Sequence, residues 1–132
     1  MDPTNVMVVD DEPIVCERVK EHLEGRGYEV ETFTDGAAAL RALDGKRFHV
    51  IVTDLKMAGP SGLDVLQNVR RRSYPAQVIL ISGYASLEAA REAQAVGAYE
   101  VLPKPFELKE LAKLVKGAAK RARRGAGSAR GD

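Results

Sequence analysis

The sequence has a single cysteine, no tryptophan, and aromatic residues that make up only 5% of its 132 residues. Because Cys16 has no second cysteine, an intrachain disulfide and a metal site built from several cysteines are both excluded. We expect Cys16 to be a small core residue rather than a reactive thiol. No apolar run approaches the length that crosses a bilayer, and no signal peptide is visible at the start of the chain. We therefore expect a cytoplasmic protein.

A large excess of charge of one sign is also absent, since the net charge is +1. The charge is nevertheless unevenly distributed. Residues 116–132 hold six basic residues and one acid, which leaves 14 basic and 18 acidic residues elsewhere and a net charge of −4 there. Nucleic-acid binding needs clustered Lys and Arg. We therefore do not expect the body of the protein to bind nucleic acid directly.

Short β-rich apolar runs alternate with helical patterns along the chain. Predicted strands cover residues 6–9, 28–33, 49–53, 77–81 and 99–102. Each is followed by a segment with helical spacing of apolar residues, such as Val15, Val19 and Leu23 after the first strand. Such alternation with short connections predicts an α/β fold with a doubly wound, five-stranded parallel sheet. The 45% apolar share suffices for one core.

The end of the chain differs from the rest in composition. Residues 117–132 are rich in Gly, Ala and Arg, and they show no apolar stripe after the last helix. We predict one domain over residues 1–116 and a basic flexible tail or linker over residues 117–132.

Polar residues stand where the predicted strands end. Asp10 and Asp11 follow the first strand, Asp54 follows the third, Ser82 the fourth and Lys104 the fifth. In an open α/β sheet, ligands bind beyond the carboxyl ends of the strands. We therefore expect three carboxylates, one hydroxyl and one ammonium group to converge on one edge of the sheet.

Three carboxylates close together repel one another, and burying them requires a compensating charge. A hard divalent cation with oxygen ligands provides that charge, and Mg²⁺ is the natural choice. Beside such a cation, a carboxylate can attack a phosphoryl donor and form an acyl phosphate. Lys104 and Ser82 can then neutralise or hydrogen-bond the phosphoryl oxygens. A zinc site is not expected, because His22 and His49 are not at ligand spacing.

The same residues, in the same order, resemble the receiver domains of two-component response regulators. The resemblance covers about residues 4–116. It rests on Val8-Val9-Asp10-Asp11-Glu12-Pro13, Val52-Thr53-Asp54-Leu55-Lys56-Met57, Ser61-Gly62-Leu63-Asp64, Ser82-Gly83-Tyr84 and Pro103-Lys104-Pro105-Phe106. Each segment alone is weak, but five in order at predicted strand ends are specific. The resemblance implies a flavodoxin-like (βα)5 fold with strand order 2-1-3-4-5.

The resemblance also implies a role for each carboxylate. Asp54 corresponds to the phosphoacceptor. Asp11 corresponds to a direct ligand of Mg²⁺ or Mn²⁺, Asp10 to a residue that binds the ion mostly through water, and Asp54 itself to a further ligand. The backbone carbonyl of Lys56 would complete the protein ligands.

The remaining site residues would contact the phosphoryl group. Ser82 corresponds to the switch hydroxyl that moves toward it, and Lys104 to the cation that binds it. The Lys104–Pro105 peptide bond is expected to be cis, which proline permits. Gly83 would leave room for the phosphoryl oxygens.

The partners that the resemblance implies are a sensor histidine kinase and a downstream effector protein or domain. The surface of helix 4, strand 5 and helix 5 would carry the effector contact or a homodimer. The chain would be a phosphoacceptor that assists its own phosphorylation and dephosphorylation rather than an enzyme, with no membrane contact. It would either stand alone or be the N-terminal regulatory part of a longer response regulator.

One position departs from the pattern of many receivers. Many receivers carry Tyr or Phe three residues before the lysine that corresponds to Lys104, whereas this sequence has Val101 there. Val101 has no ring that could turn inward on activation, so we do not expect an aromatic side chain at this position to respond to phosphorylation. Tyr99 and Tyr84 lie nearby in sequence. The Lys56 side chain and Tyr84 flank the site, and we expect them to affect the lifetime of the phosphorylated form.

Other interpretations of the same residues are possible. Asp10 and Asp11 could merely cap the first helix, and Asp54 could be a turn residue. The fold could also serve as a binding module that works without phosphorylation. A phosphatase of the haloacid dehalogenase type would need Asp two residues after the nucleophile, where this chain has Lys56. A nucleotide site would want a Gly-rich loop after the first strand, which is absent here.

Overall fold

The computed structural model describes residues 3–72, 75–83 and 87–131. Strands and helices alternate through the chain. The elements are β1 (Asn5–Val9), α1 (Pro13–Glu24), β2 (Glu29–Phe33), α2 (Gly36–Gly45), β3 (Val50–Asp54), α3 (Gly62–Arg71), β4 (Gln77–Ser82), α4 (Leu87–Val96), β5 (Glu100–Pro103) and α5 (Leu108–Gly131). The five strands form one parallel sheet in the order β2-β1-β3-β4-β5. The predicted fold class and strand order are confirmed.

The sheet has a hydrophobic cluster on each face. One cluster joins the strands to α1 and α5 through residues such as Val19, Leu23 and Leu111. The other joins them to α2, α3 and α4 through residues such as Leu66 and Leu80. Because helices cover both faces, β1, β3 and β4 are buried almost throughout. This explains why their sequences are continuous apolar runs rather than alternating ones.

Helix α5 differs from its prediction. The sequence placed the domain boundary at residue 116, but α5 continues to Gly131. Ala118, Ala119 and Ala122 are buried in the continuation, and Arg123 donates hydrogen bonds to the Thr4 hydroxyl from Nε and Nη2, at 3.2 and 2.8 Å. The first turns of the predicted tail therefore pack on the body instead of forming a flexible linker. Small side chains carry this contact, and they give no apolar stripe in the sequence.

No helix of the described residues combines the length and the apolar character that crossing a bilayer requires.

Candidate functional site

The carboxyl ends of β3, β4 and β5 surround a cavity of about 220 Å³. It is lined by Asp11, Asp54, Leu55, Lys56, Ser82, Gly83 and Lys104. Strand register explains this convergence, since Asp54 pairs with Ile81 and Ser82 pairs with Pro103. The structure thus brings together six residues that the sequence placed at the site, from segments far apart in the chain.

Lys104 is the positive centre of this cavity. Its Nζ lies 3.1 Å from Asp54 Oδ2, 3.4 Å from Asp10 Oδ2 and 3.7 Å from Glu12 Oε1. Burial disfavours the charged ammonium, but the hydrogen bond to Asp54 and the negative charge of Asp10 outweigh burial, so the pKa of Lys104 is raised. Lys104 therefore remains charged while it contacts the acceptor carboxylate.

A backbone hydrogen bond holds Lys104 in place. Its N–H donates to the Ser82 carbonyl at 2.8 Å, which ties the end of β5 to the end of β4. The Lys104–Pro105 peptide bond is cis, as the resemblance implied.

Asp10 lies beneath Lys104 rather than in the cavity lining. It is 1% exposed, and its Oδ1 accepts a hydrogen bond of 2.9 Å from the Glu12 N–H. Burial raises the pKa of the Asp10 carboxyl, although the Glu12 hydrogen bond and the Lys104 charge oppose that rise. Asp11, by contrast, is exposed and lines the cavity. The two neighbouring acids therefore occupy different environments, which suits the direct and indirect roles expected of them.

Sequence reasoning missed Glu12 as a member of this site. One ligand oxygen from each of Asp10, Asp11 and Glu12 lies within 4.8 Å of the others, a spacing at which they could hold a metal ion. Glu12 also forms the ion pair with Lys104. Its position directly after the acid pair was the available signal. An all-oxygen set of this kind fits Mg²⁺ or Mn²⁺.

The loop after Asp54 is held by a backbone hydrogen bond and by the cap of the helix that follows it. The Gly62 N–H donates to the Leu55 carbonyl at 3.0 Å. Helix α3 then starts at a capping box, in which the Ser61 hydroxyl accepts from the Asp64 N–H and the Asp64 carboxylate accepts from the Ser61 N–H. This arrangement sets the course of the backbone that carries the Lys56 carbonyl.

The structure shows what surrounds Gly83 and Val101. A Cβ at Gly83 would meet no atom of the described residues within 4 Å. Val101 is half-buried against the cluster that contains α4, whereas Tyr99 packs in the cluster that contains α5. Tyr99 therefore does not replace an aromatic ring at position 101. Tyr84 lies outside the described residues.

Comparison with known proteins is consistent with this geometry. A family model for the response regulator receiver domain matches residues 6–116. The chain is 36% identical to the DNA-binding transcriptional regulator NtrC of Escherichia coli over 110 residues, which are 83% of this chain and 24% of NtrC. It is 30% identical to the transcriptional regulatory protein FixJ of Bradyrhizobium diazoefficiens over 118 residues, 89% of this chain and 58% of FixJ.

A solved structure agrees in fold as well as in sequence. The chemotaxis response regulator CheY4 of Vibrio cholerae superposes with a TM-score of 0.82 at 33% identity, covering 89% of this chain and 99% of CheY4. The present chain thus spans nearly all of the CheY4 chain, but only about a quarter of NtrC and somewhat more than half of FixJ.

Proposed function

The chain belongs to the response regulator receiver domain family of two-component signalling, and on that premise we propose that it is a phosphorylation switch whose acceptor is Asp54. The observation that carries the proposal is the cavity that Asp54 shares with Asp11, Ser82 and Lys104. A carboxylate nucleophile, an acid able to bind a cation, a hydroxyl and an ammonium group are the parts that phosphoryl transfer to a carboxylate needs.

Asp54 attacks the phosphorus of a phosphohistidine on a sensor histidine kinase. A bond forms between an Asp54 carboxylate oxygen and phosphorus while the phosphorus–nitrogen bond of the donor breaks. Lys104, 3.1 Å from Asp54 Oδ2, is placed to pair with a phosphoryl oxygen once the carboxylate has become an acyl phosphate. Ser82, at the end of the neighbouring strand, donates its hydroxyl to another phosphoryl oxygen.

Asp11, Asp54 and the Lys56 carbonyl would hold Mg²⁺ or Mn²⁺ directly, and Asp10 would contribute through water. The donor chemistry fits, because these ligands are carboxylate and carbonyl oxygens. When bound, such an ion offsets the negative charge that gathers on the transferring phosphoryl group. The charges support this requirement. Asp10, Glu12 and Asp54 each lie within 4 Å of Lys104, and Asp11 and Lys56 line the same cavity, so carboxylates outnumber lysines at this edge of the sheet.

The output would pass through the surface of α4, β5 and α5, by a shift in population between two forms of that surface. The backbone bond from Lys104 to Ser82 supports this route, because it links two cavity residues directly to the end of β5. An effector domain, an effector protein or a second copy of the chain would be the partner. NtrC and FixJ are transcriptional regulators by name, and a regulatory role of this kind in a longer protein fits the present chain.

The test is the intact mass of the protein after incubation with acetyl phosphate, with and without Mg²⁺. We expect a Mg²⁺-dependent gain of one phosphoryl group in the wild-type chain, and no gain in Asp54→Ala. Asp44→Ala is the matched control, since Asp44 is an exposed acid in α2, away from the cavity, and it should be phosphorylated like wild type.

Two outcomes would count against the proposal. A gain that persists in Asp54→Ala would place the acceptor elsewhere. No gain in the wild-type chain under any condition would favour the second candidate, a receiver-like module that binds its partner without phosphorylation. The replacement of the usual aromatic residue by Val101 is the observation that favours this second candidate.

A further inference from the structure

Helix α5 carries a row of basic side chains on its solvent-facing side. The row consists of Lys109, Lys113, Lys116, Lys120 and Arg124, which we call the α5 ridge, and all five are exposed. Their spacing of three or four residues places them within an arc of about 80° on a helix of 3.6 residues per turn. With a rise of 1.5 Å per residue, the ridge is about 22 Å long.

The ridge is not neutralised by the rest of the protein. Across residues 3–72, 75–83 and 87–131, the ion pairs of the structure involve Lys46, Arg72 and Lys104, and none involves a ridge residue. Glu110 is the only acid in the sequence of α5, and it lies about 100° around the helix from Lys109.

The far half of the ridge is held rigidly on the domain. Ala118, Ala119 and Ala122 are buried beneath it. On one flank Arg121 lies over the Tyr99 ring, 4.9 Å from its centroid, and on the opposite flank Arg123 is bonded to the Thr4 hydroxyl. Since these contacts fix the helix, its cations are presented at a constant spacing with little loss of backbone entropy on binding.

We propose that the α5 ridge is a sequence-independent binding surface for the phosphate backbone of duplex DNA. The net charge of −4 outside residues 116–132 argued against such binding when the body was considered as a whole. The helix changes that conclusion, because it aligns Lys109 and Lys113 with three cations of residues 116–132. A basic stripe along one helix is the usual electrostatic footprint of contact with a nucleic acid backbone.

Other polyanions fit the ridge less well. Helices that lie on anionic membranes insert an apolar face, and the apolar face of α5 is buried against the sheet. Protein interfaces depend on aromatic or aliphatic anchors, and the only large apolar side chain exposed in the described part of the chain is Ile14, on α1. Single strands are bound by aromatic stacking, and the ridge has no aromatic residue. A straight row of cations suits a stiff, regular duplex.

The test measures fluorescence anisotropy of a short labelled DNA duplex of arbitrary sequence, titrated with the full chain at several salt concentrations. Five phosphate contacts should give a slope of log affinity against log salt of about −4.5, or about a 500-fold loss between roughly 50 and 200 mM salt. The variant Lys113→Gln/Lys116→Gln/Lys120→Gln removes three contacts, and we expect its slope to fall to about −1.8. Gln is a good helix former, so α5 should persist, which circular dichroism checks.

The matched control removes the same charge from the other face of the sheet. Arg41→Gln/Arg71→Gln/Arg91→Gln changes exposed residues of α2, α3 and α4, and it should keep the wild-type slope. Equal weakening in the two triple variants would overturn the proposal, because it would mean that net charge alone matters. Absence of duplex binding at low salt would overturn it as well. So would ridge-dependent binding to anionic lipid vesicles without binding to the duplex.

Discussion

Lys104 lies close to several carboxylates at once, so we expect a substitution of Lys104 to affect the stability of the fold as well as phosphorylation. Asp10 is almost fully buried, and Lys104 is the cation of the described residues that lies within 4 Å of it. A buried carboxylate without its partner is costly, so the lysine serves the fold as well as the proposed chemistry. A loss of phosphorylation in a Lys104 variant therefore has to be separated from a loss of stability. The Asp54 and Asp44 pair of variants avoids this difficulty.

Gly62 packs so closely against the backbone of Asp54 and Leu55 that there is no room for a side chain at this position. A Cβ at this position would lie 2.5 Å from the Asp54 carbonyl oxygen and 3.0 Å from Leu55 Cα. Since both obstacles are backbone atoms, the loop would have to shift. We expect Gly62→Ala to lower the free energy of unfolding by about 2 kcal/mol or more, measured by urea denaturation.

Gly45 provides the control for this substitution. It is the last residue of α2 and it is exposed, and a Cβ there would meet no atom within 4 Å in the part of the chain that the structure describes. Gly45→Ala should leave stability unchanged or raise it by about 0.5 kcal/mol, because alanine restricts the unfolded chain. Similar losses in Gly45→Ala and Gly62→Ala would contradict the packing argument.

His49 lies directly before β3, at the end of that strand opposite Asp54, and it makes the free energy of unfolding depend on pH. Its Nδ1 accepts a hydrogen bond of 3.0 Å from the Asn5 N–H, which requires the unprotonated nitrogen. Burial, and then the charge of Arg123, lower the pKa of His49 below its ordinary 6.5. The unfolded chain therefore binds the proton more readily than the folded one. The stabilising contribution of His49 to the free energy of unfolding is therefore complete above pH 6.5 and is lost as the pH falls below that value.

The measurement is the free energy of unfolding of wild type and His49→Gln at pH values above and below 6.5. We expect the difference between the two proteins to shrink, or to change sign, as the pH falls. His22→Gln, which changes the other histidine, separates the two contributions. A difference that stays constant across this range would show that protonation of His49 does not matter.

At the scale of elements, α3 and α4 differ in how firmly they are attached. Helix α3 buries Gly62, Val65, Leu66 and Val69. Among the α4 side chains that the structure describes, only Ala93 is buried. Because little apolar surface holds α4, we expect its amides to exchange faster than those of α3 in native-state hydrogen exchange. Equal protection of residues 90–96 and 65–71 would remove the basis for treating α4 as the mobile part of the output surface.

Helix starts and ends were predictable where a single residue type determines them. By residue type, either Thr34 or Asp35 can cap α2, and in the structure it is Asp35 whose carboxylate accepts from the Ala38 N–H at 2.7 Å. The end of α5 was not predictable, because alanine, lysine and arginine are compatible with both a helix and a linker. Contact with the sheet decides between them.

At the scale of the whole molecule, the continuation of α5 contributes to the stability of the fold. A chain that ends at residue 116 would lose the buried methyl groups of Ala118, Ala119 and Ala122. We expect its free energy of unfolding to be lower by about 2 kcal/mol from this burial alone, measured by urea denaturation. A chain that ends at residue 125 keeps these contacts and should match the full chain. Equal stability of all three chains would support the original boundary at residue 116.

The sequence by itself determined the fold class, the strand order that the resemblance implied, and six of the residues that line the cavity. The physical reason is that strands 1, 3 and 4 are continuous apolar runs, which predicts a parallel sheet covered on both faces. In such a sheet the carboxyl ends of all strands meet at one edge. Residues such as Asp54 and Lys104 therefore converge even though 50 positions separate them.

Only the tertiary structure decided the features that depend on where a surface lies. It placed Glu12 beside Lys104, buried Asp10 while leaving Asp11 exposed, and put Tyr99 with α5 rather than beside Val101. It also buried Ala118, Ala119 and Ala122 of the continued α5. Small and charged side chains are compatible with several environments, so their positions follow from the atoms packed around them and not from local pattern.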